Sequence, residues 1–340
     1  MDAKITKKRL SSMLTYDWLK IVGVALAVIL FWTLILTMTA TRLTPAQEFI
    51  VYNYACNNNF GDGFYRHYDN MKKNGEFSYE VIKNDQFDLS TNPEYVHTML
   101  QGHTAVDMGD VMFIPGVNDA SSKFTNAANE EDYLTYAETF LRGYGQYVYR
   151  LDNVSENPRQ EGFFQKMESY LNGYYDGGYE NGTLNEEKVK TDFAARIQKN
   201  KDKRFKTAEQ IAQGKIDDVA RIQKYRDALV SFNSYLERGI VQFEALSTDT
   251  NNPQDIYILS GNYAINLCPS NKSGEEYFAK YAERLSTFVS YKVKATEEGG
   301  DDYDTAENMC AMFFYYANVE EGFQYESLVY LNSVITECLK

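Results

Sequence analysis

The sequence has little of what most catalytic sites require. Its 340 residues include only three histidines and four cysteines. It also lacks the G-x-S-x-G, H-E-x-x-H and G-x-x-x-x-G-K-[ST] motifs, and no G-x-G-x-x-G follows the first predicted strand. His97 and His103 stand six residues apart on a predicted helix, which places them on different faces and disfavours a shared metal. We therefore expect a protein that is not an enzyme and that holds no cofactor and no metal.

The cysteines form no recognisable metal-binding pattern. Their spacing contains neither C-x-x-C nor C-x-x-H, the cadence typical of zinc sites; they are Cys56, Cys268, Cys310 and Cys338. An even number of cysteines in an extracytoplasmic body permits up to two disulfides. The sequence leaves open whether any bridge forms.

Positive charge is scarce beyond the start of the chain. The net charge is −14, although residues 1–20 carry five Lys or Arg against two Asp. The remainder is therefore strongly acidic, and such a surface repels the phosphates of DNA and RNA. This excludes nucleic acid as a partner and favours a neutral or cationic one.

Only one long apolar run is present, at residues 21–40, and it contains no charged residue. Twenty residues is about the length that a helix needs to cross a bilayer. Five basic residues precede the run, whereas only Arg42 follows it closely. Because positive charge stays on the cytoplasmic side, we expect a cytoplasmic N-terminus and an extracytoplasmic body.

A cleaved signal peptide would share the basic start and the apolar run. However, the run is longer than a usual signal core, and cleavage after Ala40 would put the large Met38 where a small residue is required. We therefore predict an uncleaved, single-pass anchor at residues 21–41 in the cell membrane. A basic cytoplasmic segment at residues 1–20 precedes it, and the lipid bilayer is its first partner.

Strands and helices alternate directly after the anchor. Hydrophobic and helical periodicity predicts strands at residues 48–55, 77–85 and 110–116, with helices at 63–75 and 93–106 between them. The order β-α-β-α-β over about 70 residues implies a parallel sheet with right-handed crossovers. The expected fold class is helix-rich α/β, with this lobe at residues 45–150.

After Gly116 we expect helices rather than strands. Periodicity predicts helices at residues 130–150, 159–175, 185–200 and 207–239. The last begins with Thr207 and Gln210 at the spacing of a capping box. These elements predict a helical region at residues 151–250.

The final part, residues 251–340, is expected to return to the lobe and pack on it. Strands are predicted at residues 255–269 and 287–293, and a helix at 274–285. Ser260-Gly261-Asn262 interrupts the first of these strands as a turn or a bulge. Asp304 is expected to cap a last helical region, which Gly322 divides into two helices.

A ligand site is expected where the parallel strands end. In open α/β sheets, ligands bind outside the carboxyl ends of the strands where the strand order reverses. The loops after the first and third strands supply the candidate residues Asn58, Asn59, Phe60, Asp62, Asn118 and Asp119. Asn and Asp beside an aromatic ring suit a neutral polyhydroxylated solute. The same residues are also typical of turns and helix caps.

Aromatic residues are abundant, with 28 Tyr and 20 Phe. In an extracellular protein they favour a carbohydrate ligand, because sugar rings stack on aromatic faces, but they equally fill the core of a helical domain. The 48 Asp and Glu also leave a cell-surface glycosidase open, since such enzymes use a pair of carboxylates.

The segments EFIVYNYACNNNFGDGFYRHYDNMKKNGEFSYEVIKND and NPEYVHTMLQGHTAVDMGDVMFIPG resemble the first lobe of extracellular solute-binding proteins of ABC importers. Residues 110–115 look like the third strand of that lobe, and YILSGNYAINLCP is similar to its returning strands. KITKKRLSSMLTYDWLKIVGV resembles anchors of Gram-positive membrane proteins. The helices predicted between Leu151 and Glu244 stand where the second lobe of that family has strands.

The resemblance implies a membrane-anchored module that binds a sugar or another small polar solute, or that serves the permease subunits of an ABC importer. The alternative is a scaffold or accessory subunit of a membrane complex that binds no solute. Both readings predict an extracytoplasmic, bacterial-type protein without covalent chemistry.

Overall fold

The structure is a computed structural model. It describes residues 18–39, 48–56, 62–77, 79, 81–87, 93–106, 109–126, 128–152, 162–200, 202, 204–250, 258–294, 301–315 and 322–340, together with residues 7 and 11. The chain divides into two compact units, Met1–Thr44 and Pro45–Lys340. The further division of the body at residues 150 and 250 stays a prediction.

The first unit contains helix α1, Trp18–Thr39. Its span Trp18–Leu36 is long and apolar enough to cross a membrane. Large apolar side chains along it are exposed, among them Leu30, Phe31 and Trp32. A membrane anchor and a signal sequence both have this character. An apolar N-terminal helix is thus present, as expected, while its orientation stays a prediction.

The second unit is a mixed α/β body built on a six-stranded sheet in the order β2-β1-β3-β12-β9-β8. The strands are β1 (Glu48–Tyr54), β2 (Val81–Phe87), β3 (Val111–Pro115), β8 (Gln242–Ser247), β9 (Ser260–Asn266) and β12 (Met309–Phe313). β1 runs parallel to both β2 and β3. β12 is antiparallel to β3 and β9, and β9 is antiparallel to β8. The sheet therefore has a parallel half and an antiparallel half.

Three short hairpins complete the described strands. They pair β4 (Asn118–Thr125) with β5 (Glu131–Thr135), β6 (Tyr175–Asp176) with β7 (Thr183–Leu184), and β10 (Tyr291–Val293) with β11 (Tyr303–Thr305). The helices of the body are α2 (Asp62–Lys73), α3 (Pro93–Val106), α4 (Tyr136–Tyr144), α5 (Phe163–Asn172), α6 (Glu186–Asn200), α7 (Ala208–Glu237), α8 (Phe278–Ser286) and α9 (Glu326–Leu339).

Successive residues of the central strands point to opposite faces of the sheet. We call one side the major face; it carries Phe49, Val51, Val111, Phe113, Ala311 and Phe313, and its core includes buried residues of α2 and of α5 to α9. The other side, the minor face, carries Ile50, Tyr52, Met112, Ile114, Met312 and Phe314, and α3 and α4 contribute to its core. The sheet is therefore buried on both sides.

The parallel half confirms the predicted β-α-β-α-β order. Helix α2 connects β1 to β2 and joins the major-face core through Tyr68 and Met71. Helix α3 connects β2 to β3 and joins the minor-face core through Val96 and Leu100. β2 begins at Val81, later than predicted. Crossovers on opposite faces are the doubly wound arrangement, in which the strand order reverses next to β1.

Two predicted helices were wrong in part. Strands continue after Gly116, because residues 118–135 form the β4–β5 hairpin. The helix predicted at residues 130–150 is therefore shortened to α4. This helix begins after a capping box between Thr135 and Glu138. The last predicted helical region begins instead with β12, which pairs with β3 and β9. Asp304 lies in β11 and caps no helix.

Other local predictions hold. Thr207 and Gln210 form the predicted capping box of α7. The register of β8 and β9 shifts between Glu244 and Ala245, beside the predicted bulge. The predicted division of two helices by Gly322 is wrong, because the described residues before it form the strand β12 and only a short 3-10 turn, Phe323–Tyr325, separates it from α9. The φ of Gly322, +92°, lies in the left-handed region, which favours glycine.

A buried charge cluster lies within the major-face helices; its members are Arg196, Asp218, Arg221, Lys224 and Glu326. Arg221 Nε and Arg196 Nη2 each lie 2.8 Å from Asp218 Oδ1. Burial disfavours ionisation of Asp218, but the charges of the two arginines outweigh it and lower the pKa of this carboxyl. The cluster therefore joins α6, α7 and α9 by charge as well as by packing.

Cysteines and aromatic residues are largely interior. All four cysteines are free thiols in buried positions. Burial raises the pKa of Cys268 to about 12 and so keeps this thiol protonated and unreactive. The largest fully buried side chains are Tyr or Phe throughout. Packing in the core accounts for these rings, as one of the two interpretations of the sequence expected.

Candidate functional site at the carboxyl edge of the parallel strands

The candidate site lies where β1 and β3 end side by side. β1 ends at Tyr54 and β3 at Pro115, and the two strands are neighbours in the sheet. The β4–β5 hairpin and helix α4 follow directly after β3. Short connections after β3 thus bring the segment 118–144 to this edge, which is the edge that the strand order selects for ligand binding.

The predicted site residues have different places in the structure. Asn58, Asn59 and Phe60 lie outside the described residues. Asp62 begins helix α2, and nothing further of it is described. Asn118 and Asp119 open β4, with Asn118 exposed and Asp119 buried.

The charge of Asp119 acts on Tyr54, the last residue of β1. Burial raises the pKa of Tyr54, and the charge of Asp119 raises it further. The pKa of Tyr136 is raised by the same two causes. Both tyrosines thus stay neutral. Tyr136 is half-buried, so its hydroxyl can donate a hydrogen bond to a polar ligand, whereas Tyr54 is buried in the minor-face core.

The carboxylate of Asp119 already has protein partners. Its Oδ1 accepts hydrogen bonds from the backbone N–H of Ser121 at 2.9 Å and from the Ser121 hydroxyl at 2.6 Å. Its Oδ2 accepts from the Ser122 hydroxyl at 2.8 Å. This arrangement is an Asx turn, one of the two interpretations open from the sequence. Asp119 consequently shapes the hairpin and acts on a ligand mainly through its charge.

The hairpin is tied to α4 and to the antiparallel half of the sheet. The hydroxyl oxygens of Ser122 and Thr139 lie 2.7 Å apart. Glu138, which completes the capping box, also accepts a hydrogen bond from the backbone N–H of Ser247 at 3.1 Å. These contacts hold Asn118 and Tyr136 in place beside the strand ends.

An aromatic cluster next to the hairpin was not predicted. The rings of Tyr54 and Phe140 are 5.2 Å apart, and Phe140 stacks on Tyr144 at 5.1 Å. The Tyr144 hydroxyl lies 2.8 Å from His97 Nδ1, and Gln101 Nε2 lies 2.9 Å from His97 Nε2. The i, i+4 spacing of His97 and Gln101 was the only sequence signal for this contact.

A second histidine contact lies in the minor-face core. The Tyr52 hydroxyl is 2.8 Å from His103 Nδ1, and His103 Nε2 is 3.6 Å from Asp85 Oδ2. An Asp–His–Tyr series is a familiar route for proton transfer. Tyr52, however, is fully buried in the sheet, so its hydroxyl is closed to a substrate. The series orients α3 on β1 and β2.

Among the residues that the structure describes, no group of three or more His, Cys, Asp or Glu side chains is arranged to hold a metal ion. The expected absence of metal, cofactor and catalysis stays a prediction. Chemically, the described part of this edge offers tyrosine hydroxyls, one exposed amide and a buried negative charge.

The chain was also compared with known proteins. No protein-family model matches it. No curated protein and no solved structure matches it either.

Proposed function

We propose that this protein is a membrane-anchored, extracytoplasmic module that binds a small polar solute, such as a sugar, without chemical conversion. The observation that supports the proposal is the reversal of strand order next to β1, with crossovers on opposite faces of the sheet. The exposed Asn118 and the half-buried Tyr136 lie at that edge. The buried charge of Asp119 disfavours an anionic solute there and favours a neutral or cationic one.

Anchoring is the second part of the proposal. Helix α1 spans the membrane with the basic residues 1–20 in the cytoplasm. Protease added outside intact cells should then digest the body and leave an N-terminal tag protected. Two results would contradict this topology. Both the tag and the body could be protected from the protease, or untreated cells could release a body from which the tagged N-terminal segment has been cleaved.

Solute binding is tested by thermal denaturation of the full-length protein in a non-ionic detergent, with sugars, amino acids and short peptides at millimolar concentration. A ligand that binds only the folded state stabilises it by about 2.7 kcal/mol at 100 times its Kd. We expect one class of neutral or cationic solute to raise the melting temperature by a few degrees.

The matched variants are Tyr136→Phe and Tyr303→Phe. Each removes one hydroxyl group, at the carboxyl edge in the first and on the exposed strand β11 in the second. The ligand-induced shift should decrease only in Tyr136→Phe. An equal shift in both variants would place the ligand elsewhere.

A scaffold or accessory subunit of a membrane complex is the second candidate function. The observation that favours it is the complete hydrogen bonding of Asp119 within its own hairpin. On this proposal no solute stabilises the protein, and permease-type membrane subunits co-purify with it in mild detergent whether or not solute is added. Solute-dependent association would instead favour a component of an importer.

A further inference from the structure

A groove of about 640 Å³ lies between helices α2, α8 and α9, away from the candidate solute site. Four cationic side chains line it: Arg66 and Lys73 of α2, Arg284 of α8, and Lys340 after α9. This concentration of positive charge is unusual in a chain of net charge −14. Bringing like charges together costs free energy, which a bound anion would recover.

Protein carboxylates compensate only part of this charge. Glu337 lies in the groove, but it is paired with Lys340 at 2.6 Å. Glu76 accepts a hydrogen bond from Asn74 Nδ2 at 3.0 Å. Within the described ranges, Arg66, Lys73 and Arg284 form no ion pair within 4.0 Å. An excess of positive charge therefore remains.

Arg284 provides an independent indication of a missing partner. Its Nη1 atom is buried, yet no hydrogen-bond acceptor for it is found among the described residues. A buried donor without a partner destabilises the fold, and more so when it is charged. The nitrogen is closed to solvent in this conformation, and a rotation of the guanidinium toward the groove would let an oxygen of a bound anion satisfy it.

The remaining wall of the groove is suited to orient a small ligand. His67 Nε2 lies 2.9 Å from the Ser333 hydroxyl, and the imidazole meets the ring of Phe288 edge-on at 5.2 Å. Asn70 and Thr336 also line the groove and can donate hydrogen bonds. Guanidinium groups bind phosphate and carboxylate through two parallel hydrogen bonds, whereas lysine acts as a point charge.

We propose that this groove is a binding site for a small soluble anion with two or more negative charges, of the phosphate or polycarboxylate class. In this site Arg66 of α2 and Arg284 of α8 bind the anion, and Lys73 adds positive charge. The site is separate from the solute site at the strand ends and holds whether or not that proposal is correct. It brings α2, α8 and α9 together around one ligand.

The test is calorimetric titration of the full-length protein in a non-ionic detergent with inorganic phosphate and with citrate, and with chloride as the monovalent comparison. We expect saturable binding of phosphate or citrate that weakens with ionic strength. Arg284→Gln and Arg66→Gln should each weaken it by about tenfold or more, since hydrogen bonds to charged groups contribute about 1.5–3 kcal/mol.

Lys199→Gln is the matched control, because it removes the same charge from the exposed last turn of α6. Its affinity for the anion should equal that of the unchanged protein. The proposal is overturned if neither phosphate nor citrate binds at millimolar concentration, or if Lys199→Gln weakens binding as much as Arg284→Gln. The melting temperatures of all variants, measured without ligand, distinguish loss of the site from loss of the fold. Tyr136→Phe should leave anion binding unchanged, which separates this result from that of the solute site.

Discussion

The two faces of the central sheet are buried by different means. The major face is covered by α2 and α5 to α9 and includes a buried charge cluster. The minor face is covered by α3 and α4, and its characteristic contacts are neutral hydrogen bonds between tyrosine and histidine. The minor face, covered by two helices, lies next to the candidate solute site. The major face, covered by six helices, holds α2, α8 and α9, which form the anion groove.

The largest change in the free energy of unfolding is expected when two neighbouring residues of β12 are replaced by alanine. Phe313 points to the major face, where its ring lies 4.6 Å from that of Phe163, and Met312 points to the minor face. Phe313→Ala should lower the free energy of unfolding by about 3–5 kcal/mol, and Met312→Ala by less, because the cavity it leaves is smaller. Urea denaturation of the full-length protein measures both. A larger loss in Met312→Ala would show that the minor face is the more tightly packed.

The charge cluster is tested by Asp218→Asn. This change keeps the shape of the side chain but leaves the buried Arg221 without its counter-charge, so the free energy of unfolding should fall by about 3 kcal/mol. Asp227→Asn is the control on the same helix, because that ion pair with Arg226 is exposed and contributes little. Equal effects in the two variants would refute a structural role for the cluster.

Because the native pKa of Asp218 is lowered, this carboxyl stabilises the protein above the unfolded-state pKa of about 3.9. That contribution is lost as the pH falls through the native value. The difference in stability between Asp218→Asn and the unchanged protein should therefore shrink as the pH is lowered below about 4.

A smaller effect is expected on the minor face. Tyr144→Phe removes the hydrogen bond with His97 and should cost about 1 kcal/mol, the usual contribution of a neutral pair. Tyr303→Phe, on the exposed β11, should leave the unfolding midpoint unchanged. If Tyr144→Phe costs as much as Asp218→Asn, the two faces do not differ in the way proposed.

The smallest effect concerns His67 on the major-face side. Burial lowers its pKa in the folded protein, although nearby Glu337 and Glu76 oppose the shift. The unfolded chain thus binds more protons as the pH falls below about 6.5, and folding stability decreases there. His67→Gln should make the fall in unfolding free energy between about pH 7 and 5 shallower. An unchanged slope would contradict this assignment.

Local signals in the sequence identified the elements that depend on local chemistry. The capping box of Thr207 and Gln210 predicted the start of α7. The alternating strands and helices of residues 48–115 predicted a parallel half-sheet, and the structure confirms it. These patterns arise from contacts within one segment or between adjacent ones, which periodicity records.

The strands of the antiparallel half were harder to predict. β12 reads Met-Cys-Ala-Met-Phe, an apolar run without alternation that periodicity cannot distinguish from a buried helix. It is a strand because β3 and β9 each offer an unpaired edge on either side. Likewise, β4 contains Asn118, Asp119, Ser121 and Ser122, residue types that are uncommon in strands or neutral to them. Its hydrogen-bonded pairing with β5, rather than its composition, makes it a strand.

For the candidate site, the sequence correctly placed Asn118 and Asp119 after β3. It did not reveal that Ser121 and Ser122 donate hydrogen bonds to Asp119, nor that the charge of Asp119 raises the pKa of Tyr54 and of Tyr136. The anion groove had no signal at all, because Arg66 and Lys73 of α2 are far in the chain from Arg284 of α8 and Lys340 after α9. Charge distributed in this way is visible only after the helices meet.

The apolar helix near the N-terminus, the acidic body and the parallel half of its sheet follow from the amino-acid sequence, since each depends on composition or on short-range periodicity. That Met309–Phe313 is a strand, which charges are buried and which cations share a groove became clear from the folded protein alone. Hydrogen bonding between strands and compensation of charge depend on partners that are distant in the chain.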